Sequence, residues 1–217
     1  TRLDAAGFGI HVHAIGDRAV REALDAFEAA RAANLVSPGR HHIAHLQVVH
    51  PDDIPRFAQL SVAANMQALW AAHEPQMDDL TIPFLGPERS ARQYPFAGLL
   101  AAGARLAAGS DWAVSSANPL WGIHVAVNRV LPPGAAEPGA GPLLPGQALS
   151  LAEAMAAYTA GSAYVNGLDE TGAVAPGYLA DLVVLDRDPF AAAAGEIGLA
   201  SAALTFVGGT QVYAAEG

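Results

Sequence analysis

Residues 9–17 constrain the fold of this chain more than any other stretch, because they combine the signals of a strand and of a helix start. His11 and His13 are two residues apart, so on a β-strand both imidazoles point to the same face. A glycine that allows a tight turn follows, and Asp17 is a suitable N-cap for the apolar-periodic run over 18–33. The segment therefore predicts a strand whose carboxyl end leads directly into a helix, which is where α/β sheets and barrels bind ligands and metals.

The alternation of strand and helix signals continues along the chain. The predicted elements, in order, are a helix over 18–33, a turn at 37–39, a strand over 42–49, a helix over 51–60, a strand over 61–67, a loop over 68–87, a helix over 88–103, a strand over 104–111, a helix over 119–130 and a flexible, Pro- and Gly-rich excursion over 131–145. This order predicts an α/β fold with parallel strands and right-handed crossovers. Four such βα units correspond to half of a TIM-like (β/α)8 barrel.

The C-terminal part of the chain has a different pattern. Ser150 and Glu153 form a capping box at the start of a predicted helix over 151–165. Beyond it, alternating apolar residues and turn glycines are typical of β structure, over 172–186 and 204–213. We therefore expect a partial (β/α)8 barrel over 1–168 and a segment of a small β-domain over 169–217.

Composition excludes several classes of partner and of chemistry. The formal net charge is -10 and there is no basic cluster, which argues against nucleic acid and against an anionic membrane surface. No apolar run has the length of a membrane span, and the expected location is cytoplasmic. All 11 basic residues are Arg, so this chain supplies no Lys for a Schiff base or a metal bridge. It also has no Cys, which leaves imidazoles and carboxylates as its strong metal ligands.

Three predicted strands end on a residue that binds metals well. These residues are His13, His45 and Asp111, separated along the chain by about one and about two βα units. Equivalent strand ends of a barrel face the same central mouth, so we expect the three side chains to lie near one another. Two imidazoles and a carboxylate suit a divalent Zn, Mn or Fe ion, and zinc is the metal we expect.

Structural roles remain alternatives for each of these residues. His13 and His45 are also compatible with hydrogen-bonded histidines inside a barrel, and Asp111 with capping of the turn that follows it. Asp17 is expected to act as an N-cap, and His11 to be hydrogen-bonded in the core. The expected positions of Trp70, His73 and Trp112 are near a substrate pocket, although loop packing explains them equally well. The remaining histidines are assigned surface or structural roles: His41, His42, His50 and His124.

An ordered set of motifs resembles one family of enzymes. The motifs are His13-Ala-Ile-Gly-Asp17, Ile43-Ala-His45, Met66-Gln67, Gly109-Ser-Asp111-Trp112, Tyr158-Thr159 and the run over 176–186. Together they resemble the C-terminal part of the metal-dependent amidohydrolases with a distorted TIM barrel, most closely the YtcJ-like branch that includes N-substituted formamide deformylases. The resemblance implies strands five to eight of a (β/α)8 barrel, followed by strands of a small β-domain.

The resemblance also implies roles for individual residues. His13, His45 and Asp111 would be metal ligands on strands five, six and eight, and Gln67 on strand seven would line the substrate pocket. One or two divalent metal ions would be bound in the complete enzyme. Metal-bound hydroxide would attack an amide or formamide carbonyl, and Asp111 would carry the proton to the leaving nitrogen. A small-molecule amide is therefore the expected substrate.

The sequence departs from the family pattern in two ways. It lacks the His-X-His pair of strand one and any bridging residue of strand four, and Ala44 stands where this branch often has Glu. The chain is therefore expected to hold only part of the metal site, with the remainder supplied by a longer protein or by another chain. The alternative hypothesis is a non-catalytic half-barrel that self-associates, since half a barrel has unpaired sheet edges; a homo-oligomer is expected on this basis.

Overall fold

A parallel four-stranded sheet forms the framework of the structure. The computed structural model describes residues 1–34, 39–135 and 141–216. The strands are β1 (His11–Ala14), β2 (His42–His45), β3 (Ala63–Met66) and β4 (Leu106–Ala108), and they lie in the order β1-β2-β3-β4 with every pair parallel. The parallel α/β arrangement predicted from the alternation of elements is thereby confirmed.

Helices connect the strands, and several of them pack against one face of the sheet. They are α1 (Arg2–Ala5), α2 (Asp17–Asn34), α3 (Ile54–Leu60), α4 (Pro75–Asp78), α5 (Ile82–Ser90), α6 (Phe96–Ala101), α7 (Pro119–Asn128), α8 (Leu151–Ala156) and α9 (Ser162–Val165), with a π-type turn (Ala157–Gly161) joining the last two. Short 3-10 turns occur at Pro51–Asp53, Ala68–Trp70, Pro145–Gln147 and Ala194–Leu199. No helix in the described ranges is long and apolar enough to span a membrane.

The core lies between this face of the sheet and the helices. Alternate strand residues, such as Ile43 and Met66, belong to one buried cluster with Leu24 and Phe27 of α2 and with Phe57 of α3. The apolar residues of α2 recur at intervals of three and four, so they form a single stripe along the helix that packs against the sheet. The opposite face of the strands carries the imidazoles of β1.

Several predicted boundaries are wrong, and local backbone geometry explains why. The strand predicted over 42–49 ends at His45, because His45 and Leu46 have φ angles of 73° and 56° and leave the extended region. The helix predicted over 88–103 is interrupted after Ser90 and resumes at Phe96. Tyr94, which precedes a proline and is therefore disfavoured in the α region, has φ 46° within this interruption.

The loop predicted over 68–87 is also partly wrong, because it contains a 3-10 turn, all of α4 and the start of α5. Prolines at the first turns of both helices favour these short helical pieces within a polar segment. The turn predicted at 37–39 and the excursion predicted over 131–145 lie partly outside the described residues.

A separate antiparallel sheet follows the last helix, as the sequence pattern predicts. Its strands are β5 (Leu182–Leu185), β6 (Ala202–Val207) and β7 (Thr210–Ala214), in the order β5-β6-β7, and β6 and β7 are joined at two glycines. The capping box is confirmed as well, since the side chain of Ser150 and that of Glu153 each accept from the other residue's backbone N–H. The division at residues 168 and 169 stays a prediction.

Candidate metal centre and substrate cavity

A cavity of about 530 Å³ lies at the carboxyl ends of the parallel strands. Four residues named from the sequence are on its wall: His13, His45, Trp70 and Asp111. The other lining residues are Ile15, Gln47, Glu74, Gln76, Met77, Thr81, Tyr94 and Val114. A second cavity of about 550 Å³ is on the helix-covered side, between α3, α6 and the last helices. Because that second cavity is lined by no histidine, we assign the candidate site to the first.

His45 reaches the cavity through an unusual backbone conformation. The strand register pairs His13 with Ala44, and it pairs His45 with Ala14, whose side chain packs in the helix-facing core. Simple alternation would therefore direct His45 toward the helices. Its φ of 73° instead turns the side chain to the cavity, where its ring lies 4.4 Å from that of His13, centroid to centroid. A left-handed conformation costs a non-glycine residue about 1 kcal/mol or more, which surrounding contacts must offset.

Gln67 supplies one of those contacts. Its side-chain oxygen accepts a hydrogen bond from the backbone N–H of His45 at 2.5 Å, and its amide nitrogen donates to Asn65 at 3.1 Å. The residue is buried and is absent from the cavity wall. Its position therefore differs from the pocket-lining one implied by the resemblance, because both ends of the amide are engaged beneath the site, where it orients the backbone of His45.

Asp111 follows β4 and also has a left-handed backbone, with φ 63°. The turn after it is closed by its main-chain carbonyl, which accepts from the N–H groups of Val114 at 2.8 Å and Ser115 at 3.1 Å. The carboxylate itself makes no hydrogen bond or ion pair within the part of the chain that the structure describes. The main-chain carbonyl of Asp111, and not its side chain, thus caps the turn. The carboxylate remains available on the cavity wall.

The charges around the site favour a neutral imidazole at His45. Burial is the main factor that lowers the pKa of His45, and repulsion from His13 lowers it further, while the nearby carboxylate of Asp111 acts in the opposite direction. A neutral imidazole is the form that coordinates a metal ion. Across the cavity, burial and the charge of Asp78 raise the pKa of Glu74.

Other residues named from the sequence lie outside the cavity wall. His11 is hydrogen-bonded to His42, with 2.8 Å between ring nitrogens, as expected, but its side chain is exposed, so the predicted core position is wrong. His73 pairs with Asp78 at 2.6 Å, and Trp112 is 73% exposed. For His73 and Trp112, contact with substrate stays a prediction that these positions do not favour.

Asp17 lies at the start of α2 and forms an ion pair there. The helix begins at Asp17 itself, and its carboxylate accepts from the Arg18 N–H at 3.0 Å. The same carboxylate receives two hydrogen bonds from the guanidinium of Arg89, at 2.8 and 3.1 Å. This pair joins α5 to the turn after β1. The N-cap position predicted for Asp17 is therefore off by one residue, and its pairing with Arg89, a residue distant in sequence, was not predicted.

The structural roles expected for three of the remaining histidines are seen in their contacts. His41 is buried, stacks on Phe27 and pairs with Asp4 at 2.8 Å. His50 accepts from the backbone N–H of Asp52. His124 is buried and accepts from the N–H of Gly198 at 3.2 Å, which links α7 to the 3-10 turn before β6.

Sequence reasoning missed five polar residues of the cavity, among them Gln47, Glu74 and Tyr94. Glu74 lies in the long segment after β3, whose length was the only available signal of a binding role. Gln47 lies just beyond β2, and Tyr94 in the interruption between α5 and α6. Nothing in their local sequence indicates that they share a cavity, because the contacts are made across elements.

A family comparison agrees with this geometry. The model of the amidohydrolase family matches residues 1–213. The chain belongs to the amidohydrolase family. The resemblance inferred from the strand-end motifs is thereby confirmed.

Relatives of this amidohydrolase-family chain are longer proteins. It is 35% identical over 212 residues to the protein LONG AFTER FAR-RED 3 of Arabidopsis thaliana, covering 97% of this chain and 35% of that protein. It is 32% identical to YtcJ of Bacillus subtilis, covering 95% of this chain and 38% of YtcJ. It is 28% identical to the N-substituted formamide deformylase of Arthrobacter pascens, covering 98% of this chain and 38% of the deformylase. The chain thus spans little more than a third of the length of these relatives.

A solved structure supports the same assignment. A metal-dependent hydrolase from Pyrococcus horikoshii OT3 superposes with a TM-score of 0.69 at 30% identity, over 86% of this chain and 35% of that one. The α/β fold with a parallel sheet is therefore shared with a metal-dependent hydrolase.

The residues of the amidohydrolase-family chain fit a metal ion by donor type. His13, His45 and Asp111 are the two imidazoles and one carboxylate that Zn²⁺ and related ions prefer. However, within residues 1–34, 39–135 and 141–216, no group of three or more His, Asp or Glu side chains is close enough to hold a metal ion. By donor type these three side chains therefore form only part of a metal site, which further ligands would have to complete.

Proposed function

We propose that this chain carries part of the active site of a metal-dependent hydrolase that cleaves non-peptide C–N bonds of amides or formamides. The observation that carries the proposal is the pair of imidazoles of His13 and His45, 4.4 Å apart at their ring centroids, in the same cavity as the carboxylate of Asp111. Membership of the amidohydrolase family and the similarity to a metal-dependent hydrolase support it.

The roles of the residues follow from their chemistry. His13 and His45 would bind a divalent ion, most suitably zinc, through neutral imidazole nitrogens. When bound, such an ion lowers the pKa of water and polarises a carbonyl oxygen. The carboxylate of Asp111 would take a proton from the attacking water and deliver it to the nitrogen of the breaking C–N bond. The oxygen of that water ends on the carbonyl carbon, and the amine leaves with the transferred proton.

Further ligands are part of the proposal. Two imidazoles and one carboxylate leave coordination positions open, and the chain covers only 35% to 38% of the three relatives. We propose that the four parallel strands correspond to strands five to eight of a (β/α)8 barrel, and that residues outside this sequence or from another copy complete the metal site. A strand order that follows the chain order, with helical crossovers, supports this assignment.

Zinc binding tests the proposed ligands directly. Zn²⁺ would be titrated into the metal-free chain with a chromophoric chelator as competitor, for wild type and for His13→Ala, His45→Ala and Asp111→Asn. We expect each substitution to weaken zinc binding by about tenfold or more. His50→Ala, which changes a histidine outside the cavity, is the matched control and should bind zinc as wild type does. Wild-type affinity in both His13→Ala and His45→Ala would refute the ligand assignment.

Turnover tests the role of Asp111. In a longer protein that contains this chain, Asp111→Asn should lower kcat for amide hydrolysis by about two to four orders of magnitude, because proton transfer is lost. Unchanged turnover would show that another group transfers the proton.

A second candidate function is self-association without catalysis. Strand β1 pairs only with β2 among the described residues, and His11 and His13 on it are exposed. A strand with one free edge is a template for pairing with a second copy, so we propose a homo-oligomer as the alternative. Sedimentation velocity would distinguish the two, since a stable monomer at high micromolar concentration contradicts self-association.

A further inference from the structure

Glu74 is an acidic side chain that the proposed hydrolysis does not use. It stands at the N-cap position of α4, yet its carboxylate caps no backbone N–H. It lines the same cavity as His13 and His45 and is only half-buried. Its side chain has neither a hydrogen-bond partner nor an ion-pair partner within the described ranges of the chain. A carboxylate in a cavity wall without a partner is available to a ligand.

Tyr94 provides a second polar group without a partner beside it. The side chain is only 5% exposed and belongs to the cavity wall, yet its hydroxyl makes no hydrogen bond in the part of the chain that the structure describes. Burial raises the pKa of Tyr94; the positive charge of Arg129 opposes this increase, and the negative charge of Glu74 adds to it. The phenol and the carboxylate both belong to the wall of this one cavity.

Aromatic faces complete this part of the cavity. Trp70 and Tyr94 both line it, and an aromatic face attracts a cation within about 6 Å of the ring centroid. No arginine belongs to the described lining, so no guanidinium there competes for the carboxylate. The chain as a whole carries a net charge of -10, which attracts cationic ligands over longer distances.

We propose that Glu74, Tyr94 and Trp70 form a subsite for an organic ammonium group carried by the substrate. The carboxylate would balance the charge, the phenol oxygen would accept one ammonium N–H, and the indole face would cover the adjacent carbon atoms. The inference rests on the proposed function in one respect: the ammonium group is taken to belong to the amide whose C–N bond is cut near His13 and His45. The substrate class is thus an amide that bears a second, protonated amino group.

Ligand binding to the chain tests this subsite without any turnover or metal. The probes are 2-phenylethylammonium and its neutral analogue 2-phenylethanol, titrated at pH 8 while the indole N–H signals are followed by ¹⁵N NMR. Trp70 reports on the cavity and is assigned with Trp70→Phe, whereas the exposed Trp112 is outside the cavity wall. We expect saturable shifts of the Trp70 signal with the ammonium ion, and binding of the alcohol to be about tenfold weaker.

Three variants identify the group responsible. Glu74→Gln should reduce the affinity for 2-phenylethylammonium to about that for the alcohol, because it removes the charge but keeps the shape. Asp79→Asn removes a charge from an exposed residue of the same segment, outside the cavity wall, and should bind as wild type does. Glu74→Asp keeps the charge and should retain the preference for the ammonium ion. Dispersed NMR spectra of each variant establish that it folds.

The outcomes separate this inference from the proposed hydrolysis. Absence of saturable binding to wild type, equal binding of ammonium and alcohol, or equal losses in Glu74→Gln and Asp79→Asn would each overturn the subsite. None of these results depends on zinc affinity or on amide cleavage. Conversely, a failure of the zinc-binding experiment would refute the ligand assignment while the ammonium preference could still be measured.

Discussion

Replacing Gln67 with Met tests whether a buried amide holds His45 in its left-handed conformation. Methionine has nearly the same length but offers no comparable acceptor, so the N–H of His45, bonded at 2.5 Å in the native protein, would lose its partner. An unsatisfied buried donor costs about 1–3 kcal/mol. For a domain of this size each kcal/mol corresponds to about 2–4 °C, so we expect Tm to fall by about 2–12 °C.

The assay combines stability with ligand geometry. Thermal and urea unfolding, followed by circular dichroism, give the loss of stability, and the zinc titration gives the effect on His45 as a ligand. We expect Gln67→Met to weaken zinc binding in addition to lowering Tm, because His45 would relax from the cavity toward the helices. Gln59→Met is the control, since Gln59 is exposed and its substitution should change stability by less than about 0.5 kcal/mol.

Two results would refute this reasoning. If Gln67→Met had wild-type stability, the hydrogen bond to His45 would contribute nothing measurable to the fold. If stability fell but zinc affinity stayed the same, Gln67 would be a structural residue without influence on the orientation of His45. Only a combined loss supports its assignment as a positioning residue.

Two further predictions concern ionisable groups outside the candidate site. Burial lowers the pKa of His124, so the neutral side chain stabilises the fold fully above pH about 6.5, and this stabilisation is lost at lower pH because the unfolded state takes up a proton. The variant His124→Asn retains an acceptor for the N–H of Gly198. In urea titrations it should therefore lose less stability between pH 7.5 and 5.5 than wild type does. Arg89→Gln should lower the free energy of unfolding by about 0.5–1 kcal/mol at low ionic strength, because the ion pair with Asp17 is lost. If the difference in Tm between wild type and variant did not shrink in 1 M NaCl, an electrostatic origin would be contradicted.

Local signals in the sequence were sufficient for the order of the parallel strands and for the long helix between the first two. The helix predicted over 18–33 is present as Asp17–Asn34, because its apolar stripe and its start signals are both contained within a few turns. The capping box at Ser150 and the β structure near the C-terminus are confirmed for the same reason. Boundaries were less predictable where several prolines and glycines compete, as between α4 and α6.

The candidate site shows what the sequence by itself determined. It identified the residue types of the proposed metal site, two histidines at strand ends and an aspartate just after a strand, and it excluded lysine and cysteine chemistry, because these are properties of composition and spacing. It also indicated the amidohydrolase family, since the order of the motifs is contained in the chain itself.

Tertiary structure alone decided how those residues meet. Spacing suggested that His13 and His45 occupy equivalent strand positions, whereas the register pairs His13 with Ala44 and only a positive φ turns His45 into the cavity. The buried amide of Gln67 and the unpartnered Glu74 acquire their roles from elements distant in sequence. The physical reason is that strand register, backbone reversal and hydrogen bonds across elements depend on packing of the whole sheet, which no local pattern encodes.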